Sequence, residues 1–117
     1  MKKGTITIRY MQEYFRRKQG QIDHCEDPNF CFVKLAEEFG ELASAMVHNR
    51  PLATGKDDMK GSLSEELYDV LYYLLKLSNT LGVDLEEVIP IKEEINNRRY
   101  PSGIEFSPED TSWFDEQ

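Results

Sequence analysis

The sequence predicts an all-α fold of four helices. Two long apolar stripes advance by alternating steps of three and four residues, helix start and stop signals flank them, and no strand pattern extends beyond Thr5-Ile6-Thr7-Ile8. With 117 residues the chain is long enough for one real core. It reads as a single domain over 1–117, closing in an irregular acidic tail over 102–117.

The first helix is expected over 8–19, with Tyr10, Tyr14, Met11 and Phe15 on its apolar side and Gly20 ending it. The second is expected over 29–48, where Phe32, Leu35, Phe39, Leu42 and Met46 form one continuous stripe. The third is expected over 62–82, striped by Leu63, Leu67, Val70, Leu74, Leu77 and Leu81. Ser62 with Glu65 makes a capping-box start, and Gly82 stands at the C′ stop. Between these two helices, Pro51, Gly55 and the adjacent Asp57 and Asp58 suit an irregular connection. The fourth is expected over 84–99, with Asp84 as its cap and Glu87 three residues on; Pro90 should kink it or mark a restart. From Pro101 onward, Gly103, Pro108 and scattered aromatics read as irregular chain lying on the surface.

Lys and Arg number 14 against 22 Asp and Glu, a net charge of −8. Sequence-independent nucleic-acid binding needs the opposite balance, so nucleic acid is not an expected partner, and the Arg16-Arg17-Lys18 run reads as a solvated helix end. No apolar run approaches the ~20 residues of a bilayer span, and Met1-Lys2-Lys3 leads into no apolar export segment; a cytoplasmic protein without a membrane partner is expected. Cys25 and Cys31 are accordingly expected as reduced thiols. His24, His48 and the two cysteines do not have the spacing of a zinc knuckle.

The acids carry the chemistry. Glu38 and Glu41 each precede a stripe residue of the second helix, and Glu66 and Asp69 do the same on the third, so both pairs are rotated by about 100° from their stripe in the same sense. A connection of about a dozen residues favours antiparallel packing, which turns both pairs to one side. Each helix places an acid about 10 Å from the connecting loop, at ~1.5 Å per residue. Four carboxylates should therefore converge beside the core. Left ionised they repel one another, and a divalent cation supplies the missing charge. An all-oxygen site with positions open for water suits Mg²⁺ or Mn²⁺. A di-iron centre would need Glu-x-x-His, which neither histidine provides.

Glu37-Glu38-Phe39-Gly40-Glu41 and Glu66-Leu67-Tyr68-Asp69 resemble the Glu-Glu-x-x-Glu and Glu-x-x-Asp signature of the MazG-like all-α nucleoside triphosphate pyrophosphohydrolases. Val83-Asp84-Leu85, Lys92, Asn96 and Arg98-Arg99-Tyr100-Pro101 are similar to the fourth helix of the dCTP pyrophosphatase branch, so that the resemblance spans about 28–101. It implies a four-helix MazG-like bundle and Mg²⁺-dependent hydrolysis of a (deoxy)nucleoside triphosphate to monophosphate and pyrophosphate, as nucleotide-pool house-cleaning. It further implies Glu38, Glu41, Glu66 and Asp69 as metal ligands, and Glu37 as the catalytic residue that orients or deprotonates water. Tyr73, Lys92, Asn96 and Arg99 are implied for substrate binding, with Phe30, Phe32 or Tyr14 standing in for the tryptophan that the branch places around its nucleotide pocket. Arg98 falls off that helical face and suits the helix C-terminus. Family members are homodimers or homotetramers whose sites draw on neighbouring subunits. Two other readings remain open: a catalytically silent nucleotide- or metal-binding regulator, and a helical interaction module with solvated acids.

Overall fold

Four helices in the expected order make up the fold, and the computed structural model describes residues 1–18 and 27–116. They are α1 (Ile8–Lys18), α2 (Pro28–Val47), α3 (Leu63–Thr80) and α4 (Leu85–Arg99), followed by a short 3₁₀ turn at Ser112–Glu116. No strand occurs among the described residues. The expected bounds hold to within two residues; Gln19 and the stop at Gly20 lie outside the described residues.

Local chemistry sets each end. Asp27 caps α2 by accepting from the Asn29 N–H at 3.1 Å, with Pro28 at the first helical position. Ser62 caps α3 by accepting from the Glu65 N–H at 3.1 Å, while the Glu65 carboxylate accepts from the Gly61 N–H at 3.2 Å instead of closing the expected box on Ser62. Asp84 caps α4 through the Glu86 N–H at 3.0 Å. At the other end of α3, Gly82 has φ +70°, and the N–H groups of Gly82 and Val83 donate to the carbonyls of Asn79 and Ser78. That is the expected C′ stop, in its Schellman form. The end of α2 repeats it with Asn49 at φ 51°, its N–H on the Met46 carbonyl and that of Arg50 on the Ala45 carbonyl. Pro90 neither breaks α4 nor restarts it: the helix continues from Leu85 to Arg99, because one missing N–H near the start leaves the later turns intact.

The main packing joins α2 to α3, and α1 docks on α3 and α4. Pro51, just past α2, accepts from the N–H of Leu63 at the start of α3, whereas Lys34, early in α2, stands over the ring of Tyr73, deep in α3. Advancing along one helix means retreating along the other, so they run antiparallel as expected. Phe15 of α1 meets Tyr72 of α3 edge-on at 4.8 Å. Buried Gln12 donates to Asn79 and to the Val83 carbonyl, both at 2.9 Å, and accepts from the Leu85 N–H at 3.1 Å, tying α1, α3 and α4 together.

The buried seam differs from the expected one. Leu35 is buried, but Phe32, Phe39, Met46, Leu67, Leu74 and Leu81 are exposed. The interior of α2 instead follows Cys31, Leu35, Glu38, Leu42 and Ala45, and that of α3 includes Glu66, Asp69, Tyr73 and Lys76. Charged residues, Glu38 on α2 and Glu66, Asp69 and Lys76 on α3, thus line faces for which apolar side chains were expected. Cys31 is fully buried and disulfide-bonded, against the expectation of a reduced thiol, which weighed compartment alone; Cys25 lies outside the described residues. The tail lies along α4 and the N-terminal arm: Phe106 shares a cleft with Ile89 and Pro90, and Phe114 packs against Gly4. None of the helices among the described residues is long and apolar enough to cross a membrane.

Candidate metal centre

Because Glu38 belongs to the inward face of α2, and Glu66 and Asp69 to that of α3, antiparallel packing brings the three together. One carboxylate oxygen from each lies within 4.8 Å of the others. Glu66 is only 6% exposed, and Glu38 and Asp69 are half-buried. Of the four carboxylates expected to converge, these three meet, inside the α2–α3 contact and not beside it, and Glu41 does not join them.

Crowding and burial act in the same direction on all three. Burial pushes the Glu38 carboxyl above the usual range, with the charges of Asp69 and Glu66 adding to it. Glu66 is raised by burial and then by Asp69 and Glu41. Asp69 is raised by burial and then by Glu65. Among the described residues one ion pair reaches the triad, from Arg50 Nη1 to Glu66 Oε1 at 3.5 Å. Three half- to fully buried carboxylates facing one guanidinium are short of positive charge. Hard oxygen donors at this spacing, two of the three on half-buried side chains, fit a small divalent cation such as Mg²⁺ or Mn²⁺.

The remaining expected residues fall in three places. Glu41 is exposed and stands outside the triad, near enough for its charge to act on Glu66. Glu37 is exposed on α2 and pairs with Lys34 at 2.8 Å. Tyr73 is half-buried one turn beyond Asp69, edge-on to Tyr72 at 5.0 Å. Lys92 and Arg99 are exposed and Asn96 half-buried on α4, which docks on α1 and not as a fourth wall on α2 and α3. Arg98 pairs with Glu94 at 2.7 Å. Phe30 and Phe32 are exposed on α2, and Tyr14 stacks on Tyr10 with ring centres 6.0 Å apart.

Arg50 was missed by sequence reasoning. The available signal was Asn49, a residue that tolerates the left-handed conformation, set at the C′ position of a helix bearing the acids. Such a turn folds the next side chain back along the helix end.

The MazG nucleotide pyrophosphohydrolase domain matches residues 28–103. The chain is similar to human (Homo sapiens) dCTP pyrophosphatase 1, with 35% identity over 81 residues that cover 66% of this chain and 48% of that protein. It is also similar to the uncharacterized protein YpjD of Bacillus subtilis (strain 168), with 40% identity over 63 residues covering 51% of this chain and 55% of that one. The chain spans about half the length of these curated relatives. Among solved structures, iMazG from Vibrio DAT 722 superposes with a TM-score of 0.70 at 35% identity, covering 82% of this chain and 99% of that one.

Proposed function

The chain belongs to the MazG nucleotide pyrophosphohydrolase family, and from that premise we propose that it hydrolyses (deoxy)nucleoside triphosphates to monophosphate and pyrophosphate with Mg²⁺, Mn²⁺ being the natural substitute. The observation that carries this reading is the meeting of Glu38, Glu66 and Asp69 within 4.8 Å, one motif on each helix. The similarity to a dCTP pyrophosphatase supports a nucleotide substrate.

In the proposed site Glu38, Glu66 and Asp69, joined by Glu41, would hold the metal. Bound there, it would neutralise the triphosphate and stabilise the charge that develops at phosphorus. Glu37 is the proposed residue that orients water or takes its proton as the α–β phosphoanhydride bond breaks; its pairing with Lys34 at 2.8 Å would have to open first. Tyr73 faces the base or sugar. Lys92, Asn96 and Arg99, spaced on one face of α4, grip phosphate oxygens.

We further propose a cytoplasmic homodimer or homotetramer. Phe32, Phe39, Met46, Leu67 and Leu74 expose apolar surface along both site-bearing helices, which supports a covering copy. The docking of α4 on α1 supports delivery of Lys92, Asn96 and Arg99 to a neighbouring copy's acids.

The deciding experiment is a panel of canonical and modified nucleoside triphosphates incubated with Mg²⁺ or Mn²⁺, with products resolved by chromatography. Equal amounts of monophosphate and pyrophosphate are expected. Orthophosphate as the primary product, or binding without turnover across the panel, overturns the reading; the second result identifies a regulator on this scaffold.

A further inference from the structure

Arg50 occupies an unusual place. Its backbone is fixed to both acid-bearing helices: its own N–H donates to the Ala45 carbonyl of α2 at 3.0 Å, and the neighbouring Pro51 carbonyl accepts from Leu63 of α3 at 2.9 Å. Two residues on, the Ala53 N–H donates to Ser64 Oγ at 3.0 Å. The left-handed Asn49 turns the chain so that the guanidinium returns to the triad. There it meets Glu66, the most buried of the three acids, with Nη1 standing 3.5 Å from Oε1. A built-in Arg–carboxylate clamp is bidentate and shorter, about 2.7–2.9 Å. The Arg50 side chain is one-third exposed, so it has a path to solvent when another cation takes its place.

We propose that Arg50 is a positioning residue that acts as the resident counter-ion of the metal centre, pairing with Glu66 when the divalent cation is absent and yielding that carboxylate when the cation binds. The assignment rests on the metal-site reading above. Two consequences follow from charge alone. The guanidinium keeps the buried acids from being wholly uncompensated in the metal-free chain, and it weakens divalent binding by repelling the incoming ion. The loop that carries Arg50 therefore sets how tightly the site holds metal, without contributing a ligand.

The test uses the full chain stripped of metal, titrated with Mn²⁺ alone at pH 8 and followed by calorimetry and by loss of the free-ion electron paramagnetic resonance signal. Arg50→Gln should bind Mn²⁺ at least about tenfold more tightly than the wild-type chain, even after solvent screening of the removed charge. Arg50→Lys keeps the charge and should stay within about threefold of wild type. If Arg50→Gln is unfolded without metal, Mn²⁺ should restore its helical circular dichroism, because the ion then supplies the missing counter-charge. Unchanged or weaker binding by Arg50→Gln, tighter binding by Arg50→Lys as well, or an Arg50→Gln chain that Mn²⁺ cannot refold overturns the assignment. A wild-type chain that binds no Mn²⁺ overturns it together with the metal-site reading; wild-type binding with an unaltered Arg50→Gln removes only the role of Arg50.

Discussion

Replacing Glu38 by Gln should stabilise the metal-free chain and abolish most of its response to Mg²⁺. The side chain keeps its shape and loses one charge from a triad whose oxygens lie within 4.8 Å of one another. At that separation each like-charge pair costs about 0.9 kcal/mol at the dielectric of water and about 3.5 kcal/mol at an effective value of 20. Glu38 takes part in two such pairs. It and Asp69 are half-buried with a path to solvent, so the cost falls near the water limit for both. Loss of the favourable influence of Lys34 on Glu38 subtracts a little. The net gain in EDTA at pH 8 should be about 1–2 kcal/mol, or about 4–8 °C in melting temperature for a domain of this size. In the wild-type chain Mg²⁺ at a hundred times its Kd should add about 2.7 kcal/mol, and in Glu38→Gln it should add little. Paired thermal and urea melts in EDTA and in Mg²⁺ read both quantities. A variant destabilised by 1 kcal/mol or more in EDTA, or one whose Mg²⁺ response equals that of wild type, refutes the reasoning, since the acids would then neither crowd one another nor share an ion.

Stability against pH should show the same site from another side. Glu38, Glu66 and Asp69 have carboxyls raised above their ordinary values of 4.5, 4.5 and 3.8; their contribution to folding is full below those values and is lost as pH rises through the raised ones. Melts in EDTA should therefore lose stability across that rise, Mg²⁺ should restore it, and identical profiles with and without Mg²⁺ would contradict a shared cation. Asp58 behaves oppositely. The N–H groups of Thr54 and Gly55 and the Thr54 hydroxyl hold its carboxyl down at about 2, so its contribution is present above 3.8 and lost as pH falls toward 2. Asp58→Ala should flatten the acid limb of the wild-type profile in that window, and an unaltered limb would show that the loop bonds contribute nothing.

Much of the fold was legible because its signals are local. Ser62, Gly82 and Asp84 act within a few residues of themselves, so these caps and this stop could be placed from sequence and recur in the structure. The span of α4 through Pro90 was legible too, from the Asp84 cap and from Pro101 beyond its end, although the local effect of the proline was not. Arg50 was not legible: its place comes from a turn at Asn49 and from a partner sixteen positions away on another helix.

The apolar stripes misled for a reason that bears on function. Period alone cannot say whether a stripe faces the same chain or another one, and Phe32, Phe39 and Met46 keep perfect helical spacing while 54–60% exposed. The face that α2 turns to α3 carries Cys31, Leu35, Glu38, Leu42 and Ala45, a sequence any apolar scale scores as the poorer seam. Burying Glu38 and Glu66 there is costly unless a cation compensates them, whereas leaving large apolar side chains in water is costly unless something covers them. Both costs lie on the same pair of helices. The cation that relieves one and the second copy that would relieve the other should thus be coupled. Mg²⁺ ought to favour association, and a chain made unable to associate by Phe39→Glu ought to bind Mn²⁺ less tightly than wild type. Sedimentation with and without Mg²⁺, alongside Mn²⁺ titration of that variant, measures the coupling; an association equilibrium indifferent to Mg²⁺ would show that the acid seam and the apolar face act independently.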